Sequence, residues 1–240
     1  MKFSMKKVTV LLADGFEEIE ALTVVDLLRR AKVYVDTVSI TDDYTVRGAH
    51  GIPVQTEDLI TEIDFKESDM IVLPGSKNTM EDLLWLRQNG LEAAVLKKAA
   101  EGKIIFGVCG GYQMLGETLS DPDHVEAGGQ LKGMGLLPMD TIFRGAKTRT
   151  RVQGSFPKVE GVLKGLTGVK LEGYEIHMGV TTLKEGASPF VNITDTVKGT
   201  SKEDGACAGN VYGSYVHGIF DKEEVARKIV EAIGEIKGLD

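Results

Sequence analysis

The chain has 240 residues, 42% of them apolar, enough for a sizeable core and too many for a disordered polypeptide. Its 28 basic and 36 acidic residues leave a net charge of −8, which argues against general binding to nucleic acid or to an anionic membrane surface. The two cysteines, Cys109 and Cys207, make no disulfide framework, and metal ligands do not cluster along the sequence. No metal and no cofactor is therefore expected, and a reducing cytoplasm suits the composition.

The N-terminus is basic and then apolar, but its apolar run is too short to span a membrane. It leads into an acidic helix rather than a small-residue cleavage site, so residues 7–13 (KVTVLLA) read as a first buried strand and not as a signal peptide. The turn Asp14-Gly15 follows, then a helix over 16–30 with Ile19, Leu22, Val25 and Leu28 at helical spacing. Residues 33–40 read as a second strand, and 44–56 as a hairpin with Gly48 and Gly51 near its turn. A third buried strand, 70–73, ends at Pro74-Gly75; helices are predicted over 79–87 and 91–101, and a further strand leads into Cys109. This alternation points to a parallel sheet with helices on both faces, whose ligand site lies beyond the carboxyl ends of the strands. Gly15, Gly75 and Cys109 all fall on that edge.

From about Gly128 glycines become frequent and strands look short: 140–143, 149–153, 173–177 and 210–216. This part reads as a small antiparallel, loop-rich addition, and an amphipathic helix over 222–236 closes the chain. With no repeat, no Pro- or Ser-rich linker and no low-complexity segment, a single α/β domain over 1–240 is the simplest organisation.

The segment IIFGVCGGYQMLG, residues 104–116, carries the chemistry. An apolar strand breaks at Gly107, reaches Cys109 and turns at Gly110 and Gly111 into a helical pattern. That is how a nucleophile is held up for attack between small neighbours. The helix N-terminus favours thiolate. His217, in YVHGIFD, would complete a cysteine–histidine pair. Backbone N–H groups of Gly75 and Gly110 would form an oxyanion hole, although Pro74-Gly75-Ser76 is equally readable as an ordinary strand-ending turn. Glu17 and Glu18 suit the positive end of a helix dipole. Glu20 lies a turn further on, aimed toward the sheet edge and Cys109. Beside a thiolate its carboxylate would take up a proton. Glu175 and His177 share a strand face, and His50 and His124 receive no role.

Residues 71 to 221 resemble the glutaminase domain of the cobyric acid synthase family, a class I glutamine amidotransferase. The resemblance lies in VLPGSKNTMEDLLWLRQNG, GKIIFGVCGGYQMLGETLSDP, GMGLLPMDTIF, GYEIHMGVTT and YGSYVHGIFD. It implies a flavodoxin-like fold, glutamine as substrate, Cys109 as the attacking nucleophile and His217 as base and then acid. It also implies oxyanion N–H groups from Gly75 and Gly110, and Tyr112 and Gln113 lining the pocket. Ile219 and Phe220 stand where an acid usually follows the histidine, so the third triad member is not assigned. Residues 6 to 72, with KKVTVLLADGFEEIEALTVVDLLRRA and VRGAHGIPVQTEDLI, resemble the ThiJ/PfpI family, in which the glutamate matching Glu20 contacts the reactive cysteine. That pattern is lost after Cys109, where Gly-Gly-Tyr replaces Ala-Gly-Pro.

Together the two resemblances imply a chimera, of engineered origin, joined in the shared strand near 68–75. Arg30-Ala31-Lys32-Val33 also lacks the glycine expected at a helix C-terminus. No phosphate-binding Gly-x-x-x-x-Gly-Lys-Ser/Thr stretch occurs, so an ATP-dependent synthetase partner would lie outside this sequence. The leading expectation is glutamine hydrolysis, weak or absent if the junction disturbs the pocket. The alternatives are a ThiJ/PfpI-like reactive-cysteine hydrolase or glyoxalase and an inactive scaffold.

Overall fold

The first strands are runs of Val, Ile and Leu because both of their faces are covered, as parallel strands require. In the computed structural model, which describes residues 6–63 and 65–238, they are β1 (Lys7–Leu12) and β2 (Tyr34–Ser39), with α1 (Glu18–Arg30) between them. Lys2, in the basic stretch at the very N-terminus, lies outside the described residues. Next come the hairpin β3 (Thr45–Arg47) and β4 (Pro53–Gln55), the short β5 (Asp58–Leu59) and β6 (Met70–Leu73). Helices α2 (Thr79–Gln88) and α3 (Leu91–Ala100) lead to β7 (Ile104–Val108) and the short α4 (Gly110–Met114).

The second half is β8 (Thr118–Asp121), β9 (Gly129–Lys132), β10 (Met139–Ser155), β11 (Lys170–Leu183), β12 (Val191–Asp195) and β13 (Ser201–Asp204). It ends with β14 (Ala206–Ala208), β15 (Val211–Ser214), β16 (Val216–His217) and α5 (Glu223–Lys237). One sheet has the order β14-β15-β7-β6-β1-β2-β5, parallel except for β14. A second sheet, β13-β12-β10-β11-β16 with β8 and β9 attached, packs beside it. The fold is α/β and flavodoxin-like in its parallel part, as the element order implied.

Three local readings change. In α1 the buried face is Ala21, Val24, Val25 and Leu28, while Ile19 is 62% exposed. The first turn of this helix faces polar partners rather than the core, so Glu18 and Glu20 are buried there instead. The stretches 140–143 and 149–153 are one long strand, β10, broken by an irregularity between Phe143 and Thr148. The stretch 210–216 is not part of the antiparallel addition. Its β15 joins the parallel sheet beside β7, and β16 crosses to pair with β11 at Tyr174↔His217. His217 therefore sits where the two sheets meet. The turn after α1 does need a left-handed residue, and Lys32 supplies it at φ 62°. The backbone bonds Lys32 N–Arg29 O and Val33 N–Leu28 O, each 3.0 Å, close that turn.

Candidate active site

Cys109 caps α4 at φ 49°, ψ −108°, a left-handed conformation that a side chain rarely adopts. Its glycine neighbours are there for packing. A Cβ at Gly107 would lie 2.6 Å from the Tyr112 backbone, one at Gly110 2.9 Å from Ser76 N, and one at Gly111 would strike the Leu73 carbonyl. The strand-to-helix elbow is thus pressed against the end of β6, and the thiol stands at its tip.

The thiol opens into a cleft of about 310 Å³ lined by Glu20, Gln113, Glu126, Lys147, His177 and His217 among others. A larger groove of about 740 Å³ runs over β10–β13, but neither cysteine nor histidine lines it. His217 and Cys109 come together in the smaller cleft, with donor atoms within 4.8 Å of each other. Both also face the Ile176 carbonyl, which accepts from His217 Nε2 at 3.0 Å and from Cys109 Sγ at 3.6 Å. His217 Nδ1 lies 2.5 Å from Glu20 Oε1, an ion pair in which the oxygen is out of line for a formed hydrogen bond. The Glu20 side chain is fully buried.

Both imidazole nitrogens thus face acceptors, as an imidazolium would. Burial works against that charge, but Cys109 and Glu20 outweigh it and push His217 up to about 11. Burial pushes the Cys109 thiol up and Glu20 adds to this, against the His217 hydrogen bond and the Gly110 N–H that donates to the sulfur. The thiolate expected from the helix terminus alone is therefore corrected. A five-residue helix offers a weak dipole, and burial is the larger effect.

Glu20 reaches the cysteine mainly through the histidine. Its Oε2 accepts from Gly75 N–H, so Gly75 is not free as an oxyanion donor in this state. Gln113 lines the cleft, with Oε1 accepting from Thr79 at 3.1 Å and Nε2 donating to the Tyr215 hydroxyl at 3.2 Å. Tyr112 does not line this cleft. It is buried under Gly107 and Gly213 with its ring edge-on to Tyr215, because a residue three positions past the elbow turns toward the core. Glu175 holds His177 Nε2 at 2.6 Å, and Gly179 O accepts from Nδ1 at 2.7 Å, which fixes the ring on the cleft wall. Glu18 is more than dipole chemistry: it binds His50 N and Nδ1 at 2.9 and 2.8 Å and pins the hairpin loop.

Sequence reasoning missed Glu126 and Lys147. Asp121 accepts from the N–H groups of Val125, Glu126 and Gly128, each at 2.8 Å, and so folds this loop over the cleft. Burial would raise the Asp121 carboxyl, but those three donors win and hold it below the ordinary range. Glu126 accepts from Met80 N at 3.1 Å, and burial pushes its carboxyl up to about 7. Lys147 comes from the irregular stretch of β10. Glu126 lies in a loop and Lys147 where β10 loses its register, so no pattern announced either.

Among the described residues no helix is long and apolar enough to cross a membrane. Residues 18–225 match the family described as CobB/CobQ-like glutamine amidotransferase domain. A cobyric acid synthase of Ruminiclostridium cellulolyticum is 54% identical over 175 residues, covering 72% of this chain and 34% of that protein. The chain spans well under half the length of the curated relatives it matches. A crystal structure of a glutamine amidotransferase aligns over 95% of this chain and 98% of its own, with TM-score 0.57 and 17% identity, a likeness of fold. Oxidized DJ-1 of Toxoplasma gondii aligns over 43% of this chain and 55% of its own, with TM-score 0.40 and 34% identity.

Proposed function

This chain belongs to the CobB/CobQ-like glutamine amidotransferase domain family, and from that premise we propose that it hydrolyses the side-chain amide of glutamine at Cys109. The observation that carries the reading is Cys109 on its left-handed elbow, brought beside a His217 that is ion-paired with Glu20. Cys109 Sγ attacks the carboxamide carbon as thiolate, and the imidazolium passes its proton to the departing nitrogen, releasing ammonia. Water then attacks the glutamyl-thioester while His217 takes its proton, and glutamate leaves. Glu20 serves as the third member of the triad, a role that its ion pair with His217 supports. The Gly110 N–H faces the developing oxyanion, and Gly75 joins it once Glu20 releases its N–H. Glu126 accepts the substrate ammonium from the cleft wall, and Lys147 at the mouth takes its carboxylate.

The test is ammonia release from glutamine by purified protein with Cys109→Ala as control. Cys109-dependent release supports the reading, and none from a folded sample leaves an inactive scaffold. The cobyric acid synthase-like resemblance further suggests that the ammonia serves an ATP-dependent synthetase outside this sequence. The contact of Glu20 with the Cys109–His217 pair also favours a second reading, a ThiJ/PfpI-like reaction with small carbonyl compounds, scored by methylglyoxal turnover. The fusion origin stands as our reading of the two motif sets that meet near residues 68–75.

A further inference from the structure

A thiol, an imidazole and a carboxylate far apart in sequence end within reach of one cation. The ligand atoms of Glu20, Cys109 and His217 all lie within 4.8 Å of one another. We propose that these three side chains form a three-donor site for a borderline-soft divalent cation, zinc by its chemistry, and that occupancy silences the nucleophile. This goes beyond the glutaminase reading and does not need it to hold.

The donor set fits. Zinc takes thiolate, imidazole nitrogen and carboxylate oxygen at about 2.0–2.3 Å, so tetrahedral donors stand roughly 3.3–3.8 Å apart. His217 Nδ1 and Glu20 Oε1, 2.5 Å apart, need to open by about an ångström to reach that spacing, while the wider separations, within 4.8 Å, close to it. Oxygen-seeking cations such as Mg²⁺ gain little from sulfur and nitrogen. Three protein ligands leave the fourth position toward the cleft of about 310 Å³, where water or an amino acid can enter.

The surrounding groups hold the donors in place, as metal sites require. The second oxygen of Glu20 is fixed by the Gly75 N–H. The Ile176 carbonyl orients the His217 ring at Nε2. Glu17 lines the same cleft and adds negative potential at its mouth. Burial opposes a lone thiolate at Cys109, but a bound dication reverses that balance, and both the thiol proton and the imidazolium proton on the coordinating nitrogen leave to solvent as the bonds to the metal form. The bound sulfur has its lone pair in the coordination bond, and the imidazole is no longer a proton carrier. Both parts of the nucleophilic pair are lost together.

The test uses the full chain, Co²⁺ as a spectroscopic probe and Zn²⁺ as competitor. The expected result is one equivalent of Co²⁺ giving a sulfur-to-cobalt charge-transfer band and tetrahedral ligand-field bands, all displaced by Zn²⁺ and unaffected by Mg²⁺. Cys109→Ala should abolish the charge-transfer band, and Glu20→Gln and His217→Ala should each weaken binding at least about tenfold. Cys207→Ser, which touches the other thiol, should leave every band in place. Circular dichroism of each variant separates lost binding from lost fold. A charge-transfer band that survives Cys109→Ala or follows Cys207, or no cobalt spectrum from folded wild-type protein, would overturn the proposal. Because the readout is a spectrum, the site can be established or lost whether or not glutamine is turned over.

Discussion

The two walls of the cleft are built differently and have different work. One wall comes from the ends of β1 and β6 and the start of α1. Its groups, Glu20 and Gly75, are fully buried or backbone, and they act on the Cys109–His217 pair. The other wall comes from the loop after β8 and the irregular stretch of β10, where Glu126 and Lys147 face the space a substrate would fill. The difference teaches how charge is placed. On the first wall the tip of a parallel sheet fixes it, and on the second a single carboxylate, Asp121, folds a loop by taking three N–H groups. The proposed function puts chemistry on the rigid wall and recognition on the loop wall.

The largest effect should fall on the pair both walls serve. Cys109→Ala or His217→Ala should lower ammonia release from glutamine by about 10⁴-fold or more, measured as steady-state kcat. The comparison then predicts opposite signatures for the two carboxylates. Glu20→Gln should lower kcat by about 10²- to 10⁴-fold with little rise in KM, because it removes the counter-ion of the imidazolium. Glu126→Gln should raise KM roughly 10- to 100-fold, with kcat nearly kept, because a charged hydrogen bond to substrate is lost. If the two profiles come out alike, the division between walls is wrong.

Acidity sharpens the same contrast. The Glu126 carboxyl, raised by burial to about 7, is charged above that pH and protonated below it. KM for glutamine should therefore rise as pH falls below 7 in the wild type and stay flat there in Glu126→Gln. The raised pKa also means that Glu126 favours the folded state fully below its ordinary carboxyl range, and that this is lost as pH climbs through about 7. Asp121 runs the other way: its lowered pKa contributes stability above the ordinary carboxyl range, lost as pH falls through its folded value. Asp121→Ala should cost about 1–3 kcal/mol in urea unfolding and raise KM as Glu126→Gln does, since the loop loses its anchor. The smallest change touches neither wall. Lys32→Gly, at φ 62°, should stabilise by about 1 kcal/mol and raise Tm by roughly 2–4 °C without altering kinetics.

Much of the parallel core was legible, because buried strands are continuous apolar runs and helices repeat their apolar positions. Residues 70–73 match β6 residue for residue, and the glycines around Cys109 announced an elbow whose packing explains each of them. The antiparallel half was harder. A strand as long as β10 looks like two when an irregularity interrupts it, and nothing local says that β15 returns to the parallel sheet. The site was legible where it rests on one motif and hidden where it rests on topology. Glu20 was aimed correctly at the sheet edge, but its histidine partner is brought to it only by β16. Tyr112 was misplaced because its short helix turns it inward, and Glu126 was missed because a loop has no period.

The position of β15 also bears on how the molecule comes into being. Its Val211 lies against Ile105 of β7, strands roughly a hundred residues apart, a contact of the slow, non-local kind. Until that strand is made, β7 is an open apolar edge, the template for mispairing that growing chains must survive. His217, the proposed base for Cys109, lies just beyond β15 in β16. During synthesis the thiol is thus present long before its proposed base, and the pairing that the proposed chemistry needs is among the late contacts the chain forms.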